Sequence, residues 1–314
     1  MVKTPEGRRS ETYLAAAEVN KKFVLTKCSY FVDVQLWPFK QDLDPEGWLS
    51  NFKPAEMEHA IHLLNGFMFF RQPLMRQMFY SAFQNMSTVL VRPNQSFGEL
   101  QAEWRSFVDN TLITRVTGER PSDTDSGFHF ERMARQALGI AEERIAGPQE
   151  ILQYLLSRGA SPVVFVDDFV GSGDQFVKTW RRPESVPGHG EKSFEQVATE
   201  IPQCKFFYCP LVCTEKGRLR IATACPQVVV CPAHFLPSKY SALAEDSVIW
   251  PTPLRDSGPE FVRNASLRAG IKESHIGGFD DLGLALAFEH SVPDATLPLF
   301  YADKNNWHPL VRRT

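Results

Sequence analysis

The chain has 314 residues, 43% hydrophobic and 23% charged, with a net charge of -3 and its Lys and Arg scattered rather than massed. That balance fits one large or two modest folded domains and argues against a nucleic-acid-binding face. No apolar run approaches the roughly 18 residues a membrane span needs. The opening MVKTPEGRRSETYLAAAEVNKK lacks the apolar centre of a signal peptide, so a cytoplasmic location with reduced cysteines is expected.

From about Tyr30 to Met86 the pattern is helical. EMEHAIHLLNGFMFF puts Met57, Ala60, Ile61 and Leu64 on one face, and PLMRQMFYSAF does the same with Leu74, Met78, Phe79, Ala82 and Phe83. His59 and His62 are three apart, but no third metal ligand is evident, and a half-exposed helix is the commoner setting for such a pair. Beyond Ser87 the period changes, and STVLVR and NTLITRV read as short β-branched strands. After the polar cluster GERPSDTDSG comes a helix with an apolar stripe of Phe130, Met133, Ala134, Ala137 and Leu138, stopped by Gly139. The next helix carries Pro148 in its first turn, buries Ile151, Leu152, Leu155 and Leu156, and ends at Gly159. A strand PVVFVDD, a small-residue loop and a helix DQFVKTW follow, the rhythm of an α/β sheet with parallel strands.

RRPESVPGHGEK reads as a mobile loop. Beyond it, KFFYCPLVC and QVVVCP read as strands with a hairpin around Glu215-Lys216-Gly217. Cys204, Cys209, Cys213, Cys225 and Cys231 crowd here, with His234 behind them. No two form a CxxC pair, so small buried hydrophobes are expected and no metal is assigned. There are no internal repeats. The expected organisation is a helical N-terminal extension over 1–86, an α/β core over 87–250 and a C-terminal extension over 251–314 that adds strands.

The segment that carries chemistry is VVFVDDFVGSGDQF. Asp167 and Asp168 stand at a strand end, where parallel sheets bind ligands, and adjacent carboxylates repel unless something satisfies them. Gly171, Ser172 and Gly173 let the backbone curl around an anion, and a helix starting near Asp174 aims its free N–H groups at the same place. Sugar hydroxyls on the acids and a phosphate on the loop through Gln175 fit that layout. A Rossmann turn would put its first Gly directly after the strand, an aspartyl phosphatase needs Asp-x-Asp, and a P-loop needs Gly-Lys-Ser/Thr. An ordinary strand-to-helix turn with a capping Asp is the plain structural alternative. Arg181 and Arg182 would clamp a phosphate or simply complement a helix C-terminus. Trp307, His308, Arg312 and Arg313 either line a site or pack the C-terminus, the second being the commoner case.

Four apolar residues, two acids, two apolar residues and a Ser-Gly loop resemble the signature of type I phosphoribosyltransferases. The helical WLSNF and HAIHLLN, and the closing GFDDLGLALAFEHSVPDATLPLFYADKNNWHPLVRR, are similar to the divergent PRTase-CE group. The resemblance implies a phosphoribosyltransferase-like, mainly parallel sheet flanked by helices. It implies that Asp167 and Asp168 contact the ribose hydroxyls of phosphoribosyl pyrophosphate or a nucleotide, and that residues 171–175 hold its 5-phosphate. Ser126 and Gly127, with Arg120 in the preceding turn, are counterparts of the pyrophosphate loop. Mg²⁺ would arrive with the ligand. For the group it further implies effectors in antiviral defence, working beside a partner protein such as an ATPase or reverse transcriptase. The reaction would be cleavage or transfer at the anomeric carbon, the alternative a non-catalytic nucleotide sensor. The chain departs from the family pattern in having Gly171 and Gln175 where hydroxyl residues are usual, and in placing Asp174 where its charge competes with a phosphate. No long closing loop is evident between Gly139 and Ser161.

Overall fold

The computed structural model describes residues 20–117 and 126–313. They form two compact units, one of the described residues up to Gln72 together with those from Ser238 onward, the other Pro73–Pro237. The expected breaks after 86 and 250 fall instead after Gln72 and Pro237, so both chain ends build one unit.

In the first unit, helix α1 spans residues 20–33, followed by α2 (Pro45–Leu49), α3 (Met57–Asn65) and strand β1 (Met68–Phe70). Asp44 caps α2 by accepting from Gly47 N, with Pro45 in the first turn. The predicted face of α3 is buried, with Met57, Ala60, Ile61 and Leu64 all inside.

The second unit opens with α4 (Gln72–Leu90), α5 (Phe97–Asn110) and β2 (Leu112–Arg115). STVLVR is therefore mostly helix rather than strand. Met86 and Leu90 continue the stripe of Met75, Phe79, Ala82 and Phe83, and burial of that stripe outweighs the β preference of Thr88 and Val89. Met75 rather than Leu74 faces inward. Next come α6 (Ser126–Leu138), α7 (Pro148–Arg158), β3 (Pro162–Val170) and α8 (Asp174–Arg181). RRPESVPGHGEK is an ordered antiparallel hairpin, β4 (Glu184–Val186) with β5 (Gly190–Lys192), rather than a loose loop. Then follow α9 (Phe194–Glu200), β6 (Lys205–Thr214), α10 (Glu215–Ala224), β7 (Val228–Val230) and β8 (His234–Leu236). No hairpin exists at Glu215-Lys216-Gly217, because β6 and β7 run parallel and need a crossover, which α10 supplies.

The sheet order is β2-β3-β6-β7, with β8 pairing the far end of β6, and every pair is parallel. The central strands β3 and β6 are buried almost throughout, as expected where helices cover a parallel sheet. On one face Phe165, Phe206 and Tyr208 pack with Phe176 and Trp180 of α8, Phe194 of α9 and Leu152 of α7.

The chain then returns to the first unit with α11 (Gly258–Arg268) and β9 (Leu286–Phe288). The expected C-terminal strand is β9, and it pairs in parallel with β1 in a two-stranded sheet. Trp48 stacks on Phe300 at 5.3 Å, its indole N–H donating to Leu299 O, and Trp307 meets Phe52 edge-on at 5.3 Å. Trp307 is thus a core residue of this unit, and Arg313 pairs with Asp294. No described helix is long and apolar enough to cross a membrane.

Candidate functional site

β3 runs past the acid pair to Val170, so Asp167 and Asp168 lie within the strand rather than at its tip. Only 3% and 7% of their surfaces remain exposed. Asp167 Oδ1 accepts from the backbone N–H of Asp168 and its Oδ2 accepts from Tyr208 Oη, both at 2.9 Å. The two carboxyls are within hydrogen-bonding reach of each other. Burial, and then the charge of Asp168, push Asp167 well above the ordinary carboxylate range, while the Tyr208 hydrogen bond opposes this less strongly. The repulsion expected between adjacent acids is thereby relieved, because the neutral form of Asp167 is favoured.

Residues 171–173 turn the chain from β3 into α8. Gly173 is the N-cap of α8 with φ of 83°, a left-handed conformation that favours glycine. Ser172 Oγ accepts from Asp174 N at 3.2 Å. The loop rests on the first turn of α10: Thr214 Oγ1 donates to Gly171 O at 2.5 Å and accepts from Gly217 N at 3.0 Å. A methyl group at Gly173 would lie 2.8 Å from Gly217 O, so two glycines set this close approach. Gly171, Ser172 and Asp174 are partly buried and Gln175 is exposed. The side chain of Asp174 reaches Arg220 Nε at 3.0 Å, which partly offsets the charge expected to compete with a phosphate.

The third element is less complete. Arg120 lies outside the described residues, as does the side chain of Ser126; Ser126 and Gly127 open α6. α6 is fixed to β2 by a largely buried ion pair, Arg115 Nη1 to both carboxylate oxygens of Glu131 at 3.0 and 3.2 Å. Burial pushes Glu131 up and Arg115 partly offsets it. Thr117, two residues past β2, is gripped by α8 and its C-cap: its N–H donates to Thr179 Oγ1, which donates back to Thr117 O, and Arg182 Nη1 donates to Thr117 Oγ1. Arg181 pairs with Glu195 and donates to Ala224 O at the end of α10.

Sequence reasoning missed Tyr208, Thr214, Gly217 and Arg220. Tyr208 sat unnoticed in KFFYCPLVC, and only strand register brings it to Asp167. Thr214 is of a residue type that favours helix N-caps, the one local signal for α10. The cysteines are free and mostly buried, and burial raises the Cys213 thiol to about 12 and the Cys231 thiol to about 11, which makes them poor nucleophiles. His59 Nε2 is 2.8 Å from Ser257 Oγ. Among the described residues no three His, Cys, Asp or Glu side chains gather as a metal site.

A parallel α/β sheet whose central strand carries an acid pair into a glycine-serine turn and a helix N-terminus has the layout of a phosphoribosyltransferase-like protein. The chain matches the PRTase-CE family over residues 45–313 and belongs to that family. A phosphoribosyl-related function accompanies that membership. A search of curated proteins found no match. The solved structure of the AQ2163 protein from Aquifex aeolicus is similar over 54% of this chain and 88% of that one, at 12% identity and a TM-score of 0.29, too low to carry an argument.

Proposed function

We propose that the protein binds a phosphoribosyl compound, either a nucleotide or phosphoribosyl pyrophosphate, and cleaves or transfers at its anomeric carbon. The observation that carries this reading is the run from Asp168 through the turn at 171–173 to the N-terminus of α8. A buried acid and a set of backbone N–H groups follow one another on a single stretch of rigid scaffold. Ribose hydroxyls donate to the acid pair, chiefly to Asp168, while N–H groups within residues 172–175 hold the 5-phosphate, one of them leaving Ser172 Oγ to do so. The bond from the anomeric carbon to the leaving group breaks, its electron pair departing with that group, and water or an acceptor adds at the carbon. An ionised carboxylate nearby stabilises the cationic sugar that forms between these events. Both oxygens of Asp167 already accept hydrogen bonds, so Mg²⁺ suits this site only if held mainly by the ligand's phosphates, with Asp168 the nearer protein carboxylate. Bound that way, it supplies charge neutralisation to the departing pyrophosphate. In the cell we place this activity in antiviral defence, in the cytoplasm, held in check by a partner protein.

Asp174 in the first turn of α8, where its charge opposes an incoming phosphate, supports a second reading, a sensor that binds nucleotide without turnover and signals to its partner. One experiment separates them. The protein and its Asp168→Asn variant are incubated with phosphoribosyl pyrophosphate or nucleotides and Mg²⁺, and the products are followed by ion-exchange chromatography. Turnover abolished in the variant supports the enzyme, and saturable binding with no product supports the sensor. If neither ligand binds, both readings are rejected.

A further inference from the structure

A second feature of the same unit shares only Asp174 with the phosphoribosyl site. Along the outer face of α8, Asp174, Val177, Lys178 and Arg181 recur with helical spacing, and with Arg182 and Arg220 of α10 they line an open groove of about 520 Å³. Four of these six side chains are cationic. Two anionic partners, Asp174 on Arg220 and Glu195 on Arg181, form half-exposed pairs, and Glu184 also acts on Arg182. Such pairs are weak and readily exchanged for a better anion. From Asp174 to Arg181 the face extends about 10 Å at the helical rise. Val177 and the aliphatic stems of the basic residues give it an apolar floor.

We infer that this groove is a separate binding site for a compact oligophosphate, such as the phosphate chain of a nucleoside triphosphate. Guanidinium groups match phosphate oxygens in bidentate geometry, and three of them with a lysine give several such contacts over the length of a short phosphate chain. A duplex nucleic acid fits less well, since it needs positive surface along its whole track and this chain is net negative. The groove and the phosphoribosyl site meet at Asp174, the residue that opens α8. An oligophosphate that draws Arg220 away would release the Asp174 carboxylate beside the N–H groups of the 5-phosphate site. The two ligands would then oppose each other, the arrangement of a feedback inhibitor.

The test is isothermal titration with inorganic tripolyphosphate in Mg²⁺-free buffer at low salt, on the full chain, on Asp168→Asn and on the double variant Lys178→Gln/Arg220→Gln. The two substituted positions are solvent-facing, and circular dichroism confirms that the variants fold. Binding should be saturable, unchanged in Asp168→Asn, weakened about tenfold or more in the double variant, and reduced by added NaCl. No binding to the parent chain, binding lost in Asp168→Asn, or binding unaffected by the double variant would each overturn the inference. Tripolyphosphate binding beside inert phosphoribosyl pyrophosphate would leave this inference standing and reject the phosphoribosyl one.

Discussion

Tyr208 Oη donates to Asp167 Oδ2 at 2.9 Å from the neighbouring central strand, where β3 and β6 pair Phe165 with Tyr208 and Asp167 with Pro210. The same tyrosine ring stacks on Phe176 of α8 at a centroid distance of 4.2 Å and an angle of 20°. One side chain therefore ties the acid to the helix that follows the phosphate loop. The acid pair is a unit with unequal members. Asp167 has both oxygens accepting hydrogen bonds and its neutral form favoured, and it is the more deeply buried of the two.

That asymmetry gives a pH dependence of stability. Burial raises Asp167 in the folded chain above its unfolded value, so the fold retains a proton that the unfolded chain releases near pH 4. Stability from this group is whole below that pH and is lost as pH rises through the folded value, each tenfold difference in proton affinity being worth about 1.4 kcal/mol. Asp167→Asn cannot ionise, and its amide preserves an acceptor for the Asp168 N–H. The variant should gain stability over the parent chain between pH 4 and pH 7.5, the gain vanishing at pH 4. Urea midpoints at both pH values check this, and a gain that shrinks with rising pH contradicts it.

Tyr208→Phe removes a hydrogen bond that favours the ionised carboxylate. Asp167 should shift further upward, and the fold should lose about 1–2 kcal/mol as a buried acceptor goes unpaired. If turnover of phosphoribosyl pyrophosphate requires Asp167 to ionise, the acidic limb of its pH–rate profile should move to higher pH in this variant. A uniform loss of rate with an unmoved profile would assign Tyr208 to packing alone.

The buttress under the loop gives a third expectation. A methyl at Gly217 would press into Gly171 O and lie 2.7 Å from Val170 Cγ1, so Gly217→Ala must displace the turn. Thr214→Val removes both the helix cap and the hydrogen bond to Gly171 O. The first should cost about 1–3 kcal/mol and the second about 1 kcal/mol. Both should weaken ribose 5-phosphate binding more than they lower the thermal midpoint would explain. Calorimetric titration beside differential scanning fluorimetry separates the two effects.

The parts of this site that were legible in the sequence are those written locally. Four apolar residues, two acids and a glycine-serine turn predicted strand, loop and helix from contiguous text, and Pro148 and Gly159 marked the two ends of α7 correctly. What escaped depends on residues far apart in the chain. The partnership of Tyr208 with Asp167 follows from the β3–β6 register, and that of Arg220 with Asp174 from the packing of α10 beside α8. Thr88 and Val89 look like strand residues because their intrinsic preference points that way, yet Met86 and Leu90 bury the same segment as helix. Glu215-Lys216-Gly217 looks like a turn because glycine punctuates it, while Thr214 caps a helix there and Gly217 is required by the approach of Gly171. The joining of the two chain ends into one unit rests on contacts such as Trp48 with Phe300, which no local pattern announces.

Asp174 opens α8, where a negative charge is favourable to the helix and unfavourable to an incoming phosphate. Arg220 holds its carboxylate in a half-exposed pair that contributes no more than about 1 kcal/mol to stability. Asp174→Asn should therefore barely change the thermal midpoint and should tighten ribose 5-phosphate binding about two- to fivefold, the equivalent of roughly 0.3–1 kcal/mol at a helix terminus. Arg220→Gln leaves that carboxylate unneutralised and should weaken the same ligand by a similar factor. If Arg220 acts on the loop through Asp174, the double variant Asp174→Asn/Arg220→Gln should match Asp174→Asn alone. A double variant as weak as Arg220→Gln would show instead that the arginine meets the ligand directly. Calorimetric titration of the four proteins at low salt reads the order, and added salt should narrow the spread.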